Sequence, residues 1–283
     1  MPLVKIKSLL SHATENRYGV AAINTFNYET VKWAIMAAER EGLPIIVQLY
    51  PGFADYIPLH FVSYMAVESA KKSDSRVAVH LDHSVSYEIA VKGIRDGFPS
   101  VMIDGSVLPY DENIALTAAV VRVARVFGTE VEAELGHVGS GSRLEDITNR
   151  DKYTDPKQAK DFVQKTGCDL LAIAVGNAHG PYTQVPDLDF DRIREIRKRL
   201  DIPLVMHGSS DIPDDQMREA VKLGMSKFNI ATEYFRAVYN ALEENAGAGK
   251  HKDAFSAFRD LQEPAIDFIR GKMRLLNPNG FKL

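Results

Sequence analysis

Short apolar runs alternate with amphipathic segments along most of the chain. Eight of the runs have the length and the aliphatic content of strands, and they cover residues 20–26, 45–49, 77–83, 100–104, 130–135, 170–175, 204–207 and 227–232. Several contain almost no polar residue, which is typical of parallel strands that are covered on both faces. The pattern therefore predicts parallel strands.

The segments between these strands repeat apolar residues with the spacing of a helix. An apolar face of this kind is present in residues 30–41, 113–127 and 189–200. Pro156 fits the first turn of a further helix, which Thr154 or Asp155 would cap.

Eight strands that alternate with helices predict an α/β fold, the closed (β/α)8 TIM barrel. A doubly wound open sheet is the alternative, although it usually has fewer strands. Residues 1–283 contain no linker rich in Pro, Gly or Ser, so we expect a single domain. Apolar residues recur with helical spacing after Lys250 and predict a long C-terminal helical extension, packed against the barrel or a second subunit.

Composition narrows the possible partners and the compartment. The formal net charge is −4, and 25% of the residues are charged, which gives no sign of nucleic-acid or anionic-membrane binding. Cys168 is the one cysteine, so no intramolecular disulfide can form and we expect a cytoplasmic protein. The N-terminus lacks the apolar core of a signal peptide, and no apolar run is long enough for a transmembrane helix.

Candidate metal ligands follow five of the predicted strands. His83, His179 and His207 end or follow strands three, six and seven, while Asp104 ends strand four and Glu134 lies near the end of strand five. Active sites of this barrel lie at the C-terminal ends of its strands. A single histidine there is more often structural, but three imidazoles with an open position form a catalytic zinc site. The set therefore favours a metal centre.

Asp82 directly precedes one of these histidines. Neighbouring residues on a regular strand point to opposite faces, so Asp82 and His83 both reach the mouth only if the strand bends there. Asp82 is then a hydrogen-bond partner of an imidazole, a free acid or base, or a loop aspartate that caps the next helix.

The loops after strands seven and eight predict an anion site, because this barrel often binds phosphate there. Their small residues allow backbone N–H groups to approach an anion, and helix N-termini favour negative charge. The alternative is that the Ser and Thr residues cap helices without a ligand. The candidates are Gly208, Ser209, Ser210, Asn229, Ile230, Ala231 and Thr232.

Nine motifs between residues 19 and 233 match one family. They are NTFNYET from Asn24, HLDHS, GFPSVMIDGS, ENIALT, VEAELGHVG, YTDP, TGCDLLAIAVGNAHGPY, PLVMHGSS and KFNIATE. The chain resembles the class II, zinc-dependent ketose-bisphosphate aldolases. It is most similar to the tagatose-bisphosphate branch, because Thr183 replaces the lysine of fructose-type members and Asp211 replaces a glycine.

The resemblance implies reversible cleavage of tagatose or fructose 1,6-bisphosphate into dihydroxyacetone phosphate and an aldehyde such as glyceraldehyde 3-phosphate. It implies catalytic Zn²⁺ on the three histidines, an alternative or second metal position at Glu134 and Asp104, and Asp82 as the proton donor to the aldehyde carbonyl. Asn24 and Gly180 join the substrate and phosphate site, often with Na⁺ or K⁺ nearby. A homodimer or homotetramer is implied, in some members with a companion subunit.

The chain departs from the family in residues 136–153, a long segment that we expect to be a lid or binding loop. Many members have Gly-Gly-x-Glu-Asp after the VEAELGHVG motif, whereas residues 139–146 here read GSGSRLED. Glu145, shifted by three, is the candidate for the loop glutamate that moves the ketose-side proton, and Arg143 is a candidate partner for an acidic or phosphorylated aldehyde. Three alternatives stay open: a non-bisphosphate aldehyde partner, a Schiff-base aldolase using Lys227, and a non-catalytic barrel subunit.

Overall fold

The computed structural model describes residues 2–251 and 253–282. Eight parallel strands pair in chain order, and β1 pairs with β8 to close the barrel, with Val20 opposite Lys227. The strands are β1 (Val20–Asn24), β2 (Ile45–Leu49), β3 (Val77–Ser84), β4 (Ser100–Ile103), β5 (Glu130–Leu135), β6 (Leu170–Ile173), β7 (Leu204–Met206) and β8 (Met225–Ile230). The predicted (β/α)8 TIM barrel is confirmed.

Helices separate successive strands and surround the barrel. They are α1 (Ile6–Glu15), α2 (Tyr28–Glu41), α3 (Leu59–Lys72), α4 (Tyr87–Arg95), α5 (Tyr110–Phe127), α6 (Leu144–Thr148), α7 (Pro156–Thr166), α8 (Phe190–Arg197), α9 (Asp214–Lys222), α10 (Thr232–Gly247), α11 (Ala254–Asp260) and α12 (Gln262–Leu275). Short 3-10 helices span Pro51–Phe53 and Arg150–Lys152. Within the described ranges, no helix is both long and apolar enough to span a bilayer.

Successive side chains of each strand point alternately away from the barrel axis and toward it, so they belong to two separate hydrophobic cores. One set of strand side chains, including Ile23, Val47 and Leu81, packs outward against the helices. The other set points into the barrel, and at its bottom Ala22, Ile46 and other apolar residues pack against α1, which closes that end. Higher in the barrel the inward positions become polar, so the strand ends on the side opposite α1 carry the chemistry.

The sequence predicted the strands well and located some boundaries imperfectly. The predicted bounds of β2 and β5 match the structure, whereas β8 begins and ends two residues earlier than predicted. Of the two proposed caps for α7, Asp155 is the actual one, because its side chain accepts hydrogen bonds from Lys157 N and Gln158 N. Thr154 instead joins the ends of β5 and β6 by donating to Leu135 O and accepting from Ala174 N.

The predicted C-terminal extension is helical and covers the barrel wall. α12 packs against α2, with Ile266, Ile269 and Met273 in the main core. Ion pairs strengthen the contact, since Arg270 Nε lies 2.6 Å from Glu41 Oε1 and Arg40 Nη1 lies 2.6 Å from Glu263 Oε2.

Candidate metal centre

Three histidines converge where the barrel opens. One ring nitrogen from each of His83, His179 and His207 lies within 4.8 Å of the other two. The ring centroids of His83 and His207 are 4.4 Å apart, and those of His83 and His179 are 4.7 Å apart. Residues that lie between 28 and 124 positions apart in the sequence thus form one group of nitrogen donors.

A bend in β3 brings Asp82 and His83 to the same cavity. The pairing of β3 with β4 is irregular between Leu81 and Ser84, and His83 has a φ of +35°. A positive φ is rare for a residue with a side chain, and such strain is concentrated at functional sites. The strand therefore bends as the sequence requires for the side chains of both Asp82 and His83 to reach the mouth of the barrel.

Each histidine has one nitrogen held by a neighbour. His83 Nδ1 lies 3.1 Å from Asp104 Oδ2, His179 Nδ1 lies 3.0 Å from Val138 O, and His207 Nε2 lies 2.8 Å from Glu132 Oε1. Such partners fix the tautomer and the orientation of a metal-binding imidazole. The other nitrogen of each ring remains for a ligand.

The nitrogens that remain are short of partners. Among the described residues, His179 Nε2, His207 Nδ1 and Glu134 Oε2 are buried without a hydrogen bond, although the last two atoms lie only 3.1 Å apart. Buried polar atoms are normally paired, so this cluster needs an explanation. Three imidazole donors and a nearby carboxylate are the ligand types that Zn²⁺ takes, so the residues fit a bound zinc ion.

The surroundings shift the pKa values of these groups in opposite directions. Burial lowers the pKa of His179 to about 3, so its ring is neutral and able to bind a metal at pH 7. Burial also acts to lower the pKa of His207, but the adjacent carboxylates of Glu132 and Glu134 outweigh it and raise that pKa to about 10. A metal ion would therefore displace a proton from His207.

Asp82 lies beside the histidines in a ring of amides. Its Oδ2 accepts from Asn24 Nδ2 at 3.2 Å and from Gln48 Nε2 at 3.1 Å, and its Oδ1 accepts from Asn229 Nδ2 at 3.0 Å. Burial acts to raise the pKa of Asp82, but His83 and Lys227 outweigh burial and hold this pKa below its usual value. Asp82 is thus an ionised carboxylate, positioned to accept a proton.

Gln48 was not predicted as a site residue, although the sequence contains a signal for it. It interrupts the apolar run IIVQL of β2 and is fully buried. A buried polar residue within a strand of this barrel points inward or bonds to its neighbours, and Gln48 does both by joining Asn24 to Asp82.

The two carboxylates predicted for a second metal position lie close to the position between the three histidines. His83, Asp104 and Glu134 offer ligand atoms within 4.8 Å of one another. Glu134 Oε1 accepts from Val138 N at 3.0 Å, which leaves Oε2 toward His207. Burial acts to raise the pKa of Asp104, but hydrogen bonds from His83 and Ser106 keep it below its usual value.

The predicted phosphate residues border the same cavity, which has a volume of about 430 Å³. A methyl group on Gly208 would lie 2.0 Å from Ala178 O, so only glycine fits there. α10 begins at Thr232 after Ala231, a residue that offers no side-chain cap, and Ser210 Oγ accepts from Glu233 N. The lining includes Asn24, Gly180, Gly208, Ser210, Asn229, Ala231 and Thr232.

Two predicted members of this anion site, Ser209 and Ile230, are not among the lining residues. Ser209 Oγ donates to Met206 O, and Ile230 packs in the outer core. The backbone N–H of Ser209 also has a partner, because it donates to Asn229 O at 3.1 Å.

The sequence model of the family described as fructose-bisphosphate aldolase class-II matches residues 4–281. The chain belongs to this family. Members depend on a metal, which agrees with the cluster of imidazoles and carboxylates described above. The chain is accordingly an enzyme, a lyase of the aldolase type.

Known proteins support the same assignment. The Escherichia coli K12 protein YdjI is 40% identical over 243 residues, which are 86% of this chain and 87% of YdjI. The crystal structure of the YdjI aldolase from that organism has a TM-score of 0.87 at 35% identity and covers 97% of both chains. A fructose-bisphosphate aldolase from Campylobacter jejuni shares the fold, with a TM-score of 0.82 at 20% identity over 95% of this chain and 93% of that one.

The aldolase loop between β5 and α7 holds His179 in place. Gly141 N donates to His179 O at 2.7 Å, and His179 N donates to Gly139 O at 2.8 Å. Asp146 organises the loop itself, since its carboxylate accepts from Ser140 N at 2.9 Å and from Lys152 Nζ at 2.6 Å.

Two charged loop residues lie outside the cavity lining in this conformation. Glu145, the candidate for the ketose-side proton transfer, has an exposed side chain 3.5 Å from Lys152 Nζ. Arg143 is exposed on the same loop. The role of Glu145 therefore stays a prediction that requires the loop to move.

Lys227, the residue of the Schiff-base alternative, lies beneath the candidate metal centre. Its side chain is fully buried and its Nζ lies 2.8 Å from Glu132 Oε2. A Schiff base needs a free amine in contact with substrate. Lys227 has neither property, because it is paired and does not line the cavity.

Proposed function

We propose that the chain catalyses reversible, zinc-dependent aldol cleavage of a phosphorylated ketose of the tagatose or fructose type, giving dihydroxyacetone phosphate and an aldehyde. The observation that carries the proposal is the convergence of the three histidine nitrogens next to the ionised Asp82. Two of these histidines, His83 and His179, line one cavity together with Asp82 and most of the predicted phosphate residues. A carbon–carbon lyase needs a site for developing negative charge, a proton acceptor and an anchor for substrate.

His83, His179 and His207 would hold the zinc ion, with Glu134 and Asp104 as an alternative or second position. Zinc held by three neutral imidazoles would keep its double positive charge and would supply Lewis acidity to the ketose oxygen on which negative charge develops. Hydrogen bonds donated by the rings to Asp104 Oδ2, Val138 O and Glu132 Oε1 fix the ring orientations before any ligand arrives.

Asp82 moves the proton on the aldehyde side of the breaking bond. In cleavage its carboxylate accepts the proton of the hydroxyl that becomes the aldehyde carbonyl, and in condensation it returns that proton. The amides of Asn24, Gln48 and Asn229 hold both carboxylate oxygens in place, so the base does not rotate away.

The phosphate of the dihydroxyacetone half is held by the segments after β6, β7 and β8. Backbone N–H groups near Gly180 and Gly208 and the N-terminus of α10 supply the positive ends of dipoles. Ser210 and Thr232 add hydroxyl groups, and Na⁺ or K⁺ binds near this anion. Anchoring one end of the ketose keeps the bond to be broken next to Asp82.

Oligomeric state and compartment belong to the same proposal. We place the enzyme in the cytoplasm as a homodimer or homotetramer, with a companion subunit as the alternative for full activity. The buried thiol of Cys168, whose pKa burial raises to about 12, agrees with a protein that makes no disulfide.

Replacement of one ligand tests the function. His207→Ala should lose most of its bound zinc and nearly all release of dihydroxyacetone phosphate, because two imidazoles hold zinc poorly. Metal content is read by mass spectrometry and cleavage by a coupled assay with added zinc. His60→Ala, at an exposed histidine on α3, is the matched control and should behave as the parent. Near-normal turnover and unchanged zinc in His207→Ala would refute the proposal.

A further inference from the structure

The lining of the cavity contains one set of residues suited to an anion and no second set. The first set is the segment after β7 and β8, with Gly208, Ser210 and Thr232. Beyond the metal and acid–base groups, the remaining wall is formed by Tyr50, Phe53, Val85, His137, Val138 and Phe235. In the described part of the chain, neither lysine nor arginine lines this cavity.

Three basic residues on segments around the cavity are paired with carboxylates, and Arg143, which is exposed on the loop between β5 and α7, lies outside the cavity lining. Arg236 Nη1 lies 3.0 Å from Asp211 Oδ2, Lys272 Nζ lies 2.7 Å from Glu233 Oε1, and Lys152 Nζ lies 2.6 Å from Asp146 Oδ1. These pairs fix loops and helix ends around the cavity. Their cations serve the fold and do not extend into the wall formed by Tyr50 and Phe53.

A second phosphate would meet an unfavourable environment there. A phosphate monoester carries about two negative charges near neutral pH, and burying such a group without a cation is costly. The aromatic wall, in which the rings of Phe53 and Phe235 lie 6.0 Å apart, offers apolar surface. Asp82 and Asp104 also line the cavity and add negative charge. One phosphate has a place in this site, and a second has none.

We propose that the ketose substrate is a monophosphate, whose single phosphate lies on the dihydroxyacetone half, so that the aldehyde product carries no phosphate. This inference rests on the proposed aldolase function and departs from the bisphosphate that the sequence resemblance implies. The apolar walls contact the C–H surface of a polyhydroxylated chain, and water at the open mouth contacts its hydroxyl groups.

Matched pairs of aldehydes test the inference in the condensation direction. The zinc-loaded full chain is supplied with dihydroxyacetone phosphate and with glyceraldehyde or glyceraldehyde 3-phosphate, and in a second pair with erythrose or erythrose 4-phosphate. We expect the unphosphorylated member of each pair to have the higher kcat/KM, by about tenfold or more in the faster pair, because the phosphorylated member has an unpaired charge. A phosphorylated aldehyde used equally well or better overturns the inference, including the case in which another subunit supplies the cation.

Installing a cation in the wall gives an independent test. Val85 lines the cavity and its side chain is 65% exposed, so a longer residue fits without disturbing the core. Val85→Arg should raise kcat/KM for the phosphorylated aldehyde relative to its unphosphorylated partner, whereas Val85→Gln, similar in length but uncharged, should not. If the ratio of the kcat/KM values for the two aldehydes is the same in Val85→Arg as in the parent, this result contradicts the proposed lack of a cation.

The two levels of the proposal fail in different ways. If dihydroxyacetone phosphate is consumed with phosphorylated aldehydes only, the aldolase function stands and the monophosphate inference falls. If it is consumed with no aldehyde of either kind by the zinc-loaded chain, the aldolase function falls and the inference falls with it.

Discussion

Two polar layers lie one above the other inside the barrel, and they differ in how far their charges are satisfied. The upper layer, at the strand ends, contains Asp82, Glu134 and the three histidines, and it has buried nitrogens without partners. The lower layer contains His80, Glu132 and Lys227, all fully buried; its charged groups are paired, and His80 Nε2 is the one side-chain nitrogen or oxygen of these three described residues without a hydrogen bond. There Glu132 accepts from Lys227 Nζ and from His207 Nε2, each at 2.8 Å.

A shift of two residues along a strand separates the layers. His80 precedes Asp82, Glu132 precedes Glu134, and Lys227 precedes Asn229, in each case by two positions on the same inward face. The same residue types thus have different tasks according to depth. Asp82, His83 and His179 of the upper layer line the cavity, whereas His80, Glu132 and Lys227 of the lower layer do not, and Glu132 holds His207 from below.

The largest expected effect comes from the proton acceptor in the upper layer. Asp82→Asn should lower kcat by a factor of about 10²–10⁴, the usual contribution of a general acid–base group, while zinc content stays unchanged. Steady-state kinetics and metal analysis check both parts. Asp74→Asn, at an exposed aspartate after α3, should leave kcat unchanged. A kcat near that of the parent for Asp82→Asn would remove Asp82 from the chemistry.

Substitutions in the lower layer should lower the free energy of unfolding. Lys227→Met leaves Glu132 buried with one partner fewer, which should cost about 3–5 kcal/mol of unfolding free energy, as for other broken buried pairs. The double variant Lys227→Met/Glu132→Leu removes both charges and should be more stable than the single one. Urea unfolding of the metal-free proteins measures this order, and a single variant as stable as the parent would show that the pair is not needed.

Much of the barrel and the upper layer could be predicted because both depend on local patterns. Apolar runs located the strands, and His83, His179 and His207 stood out at their ends. The division between layers could not be predicted, because it depends on the depth of each inward residue in a closed barrel. Only the closed barrel therefore shows that His80 and Glu132 lie outside the cavity lining, below His207.

The conformation of the long loop, residues 136–153, could not be predicted from the sequence either, for a different physical reason. Its shape follows from Asp146, whose carboxylate binds Ser140 N and Lys152 Nζ, and from backbone bonds to His179. Asp146 lies 6 residues from each of these partners, and neither these contacts nor the bonds to His179 follow the period of a helix or a strand, so they leave no periodic signal. The exposed position of Glu145 follows from this arrangement and not from its distance along the chain to the usual glutamate.

A smaller effect of the lower layer should appear in how the free energy of unfolding depends on pH. Burial, with the positive charge of Lys227, lowers the pKa of His80 to about 3, whereas an unfolded histidine titrates near about 6.5. Because the folded value is the lower one, the contribution of neutral His80 to stability is complete above the unfolded pKa and is lost as pH falls below it. From pH 7 to pH 5 this loss is about 2 kcal/mol. His207, whose folded pKa is raised, does not contribute a loss of this kind.

Urea unfolding of the metal-free protein at pH 7 and pH 5 measures the effect without interference from zinc release. His80→Gln removes the titrating group of the lower layer, so its stability should change less between the two pH values than that of the parent. His60→Gln, at the exposed histidine, should keep the parent's dependence on pH. If His80→Gln loses as much stability as the parent on acidification, then His80 is protonated in the folded barrel and the lower layer carries more charge than its contacts indicate.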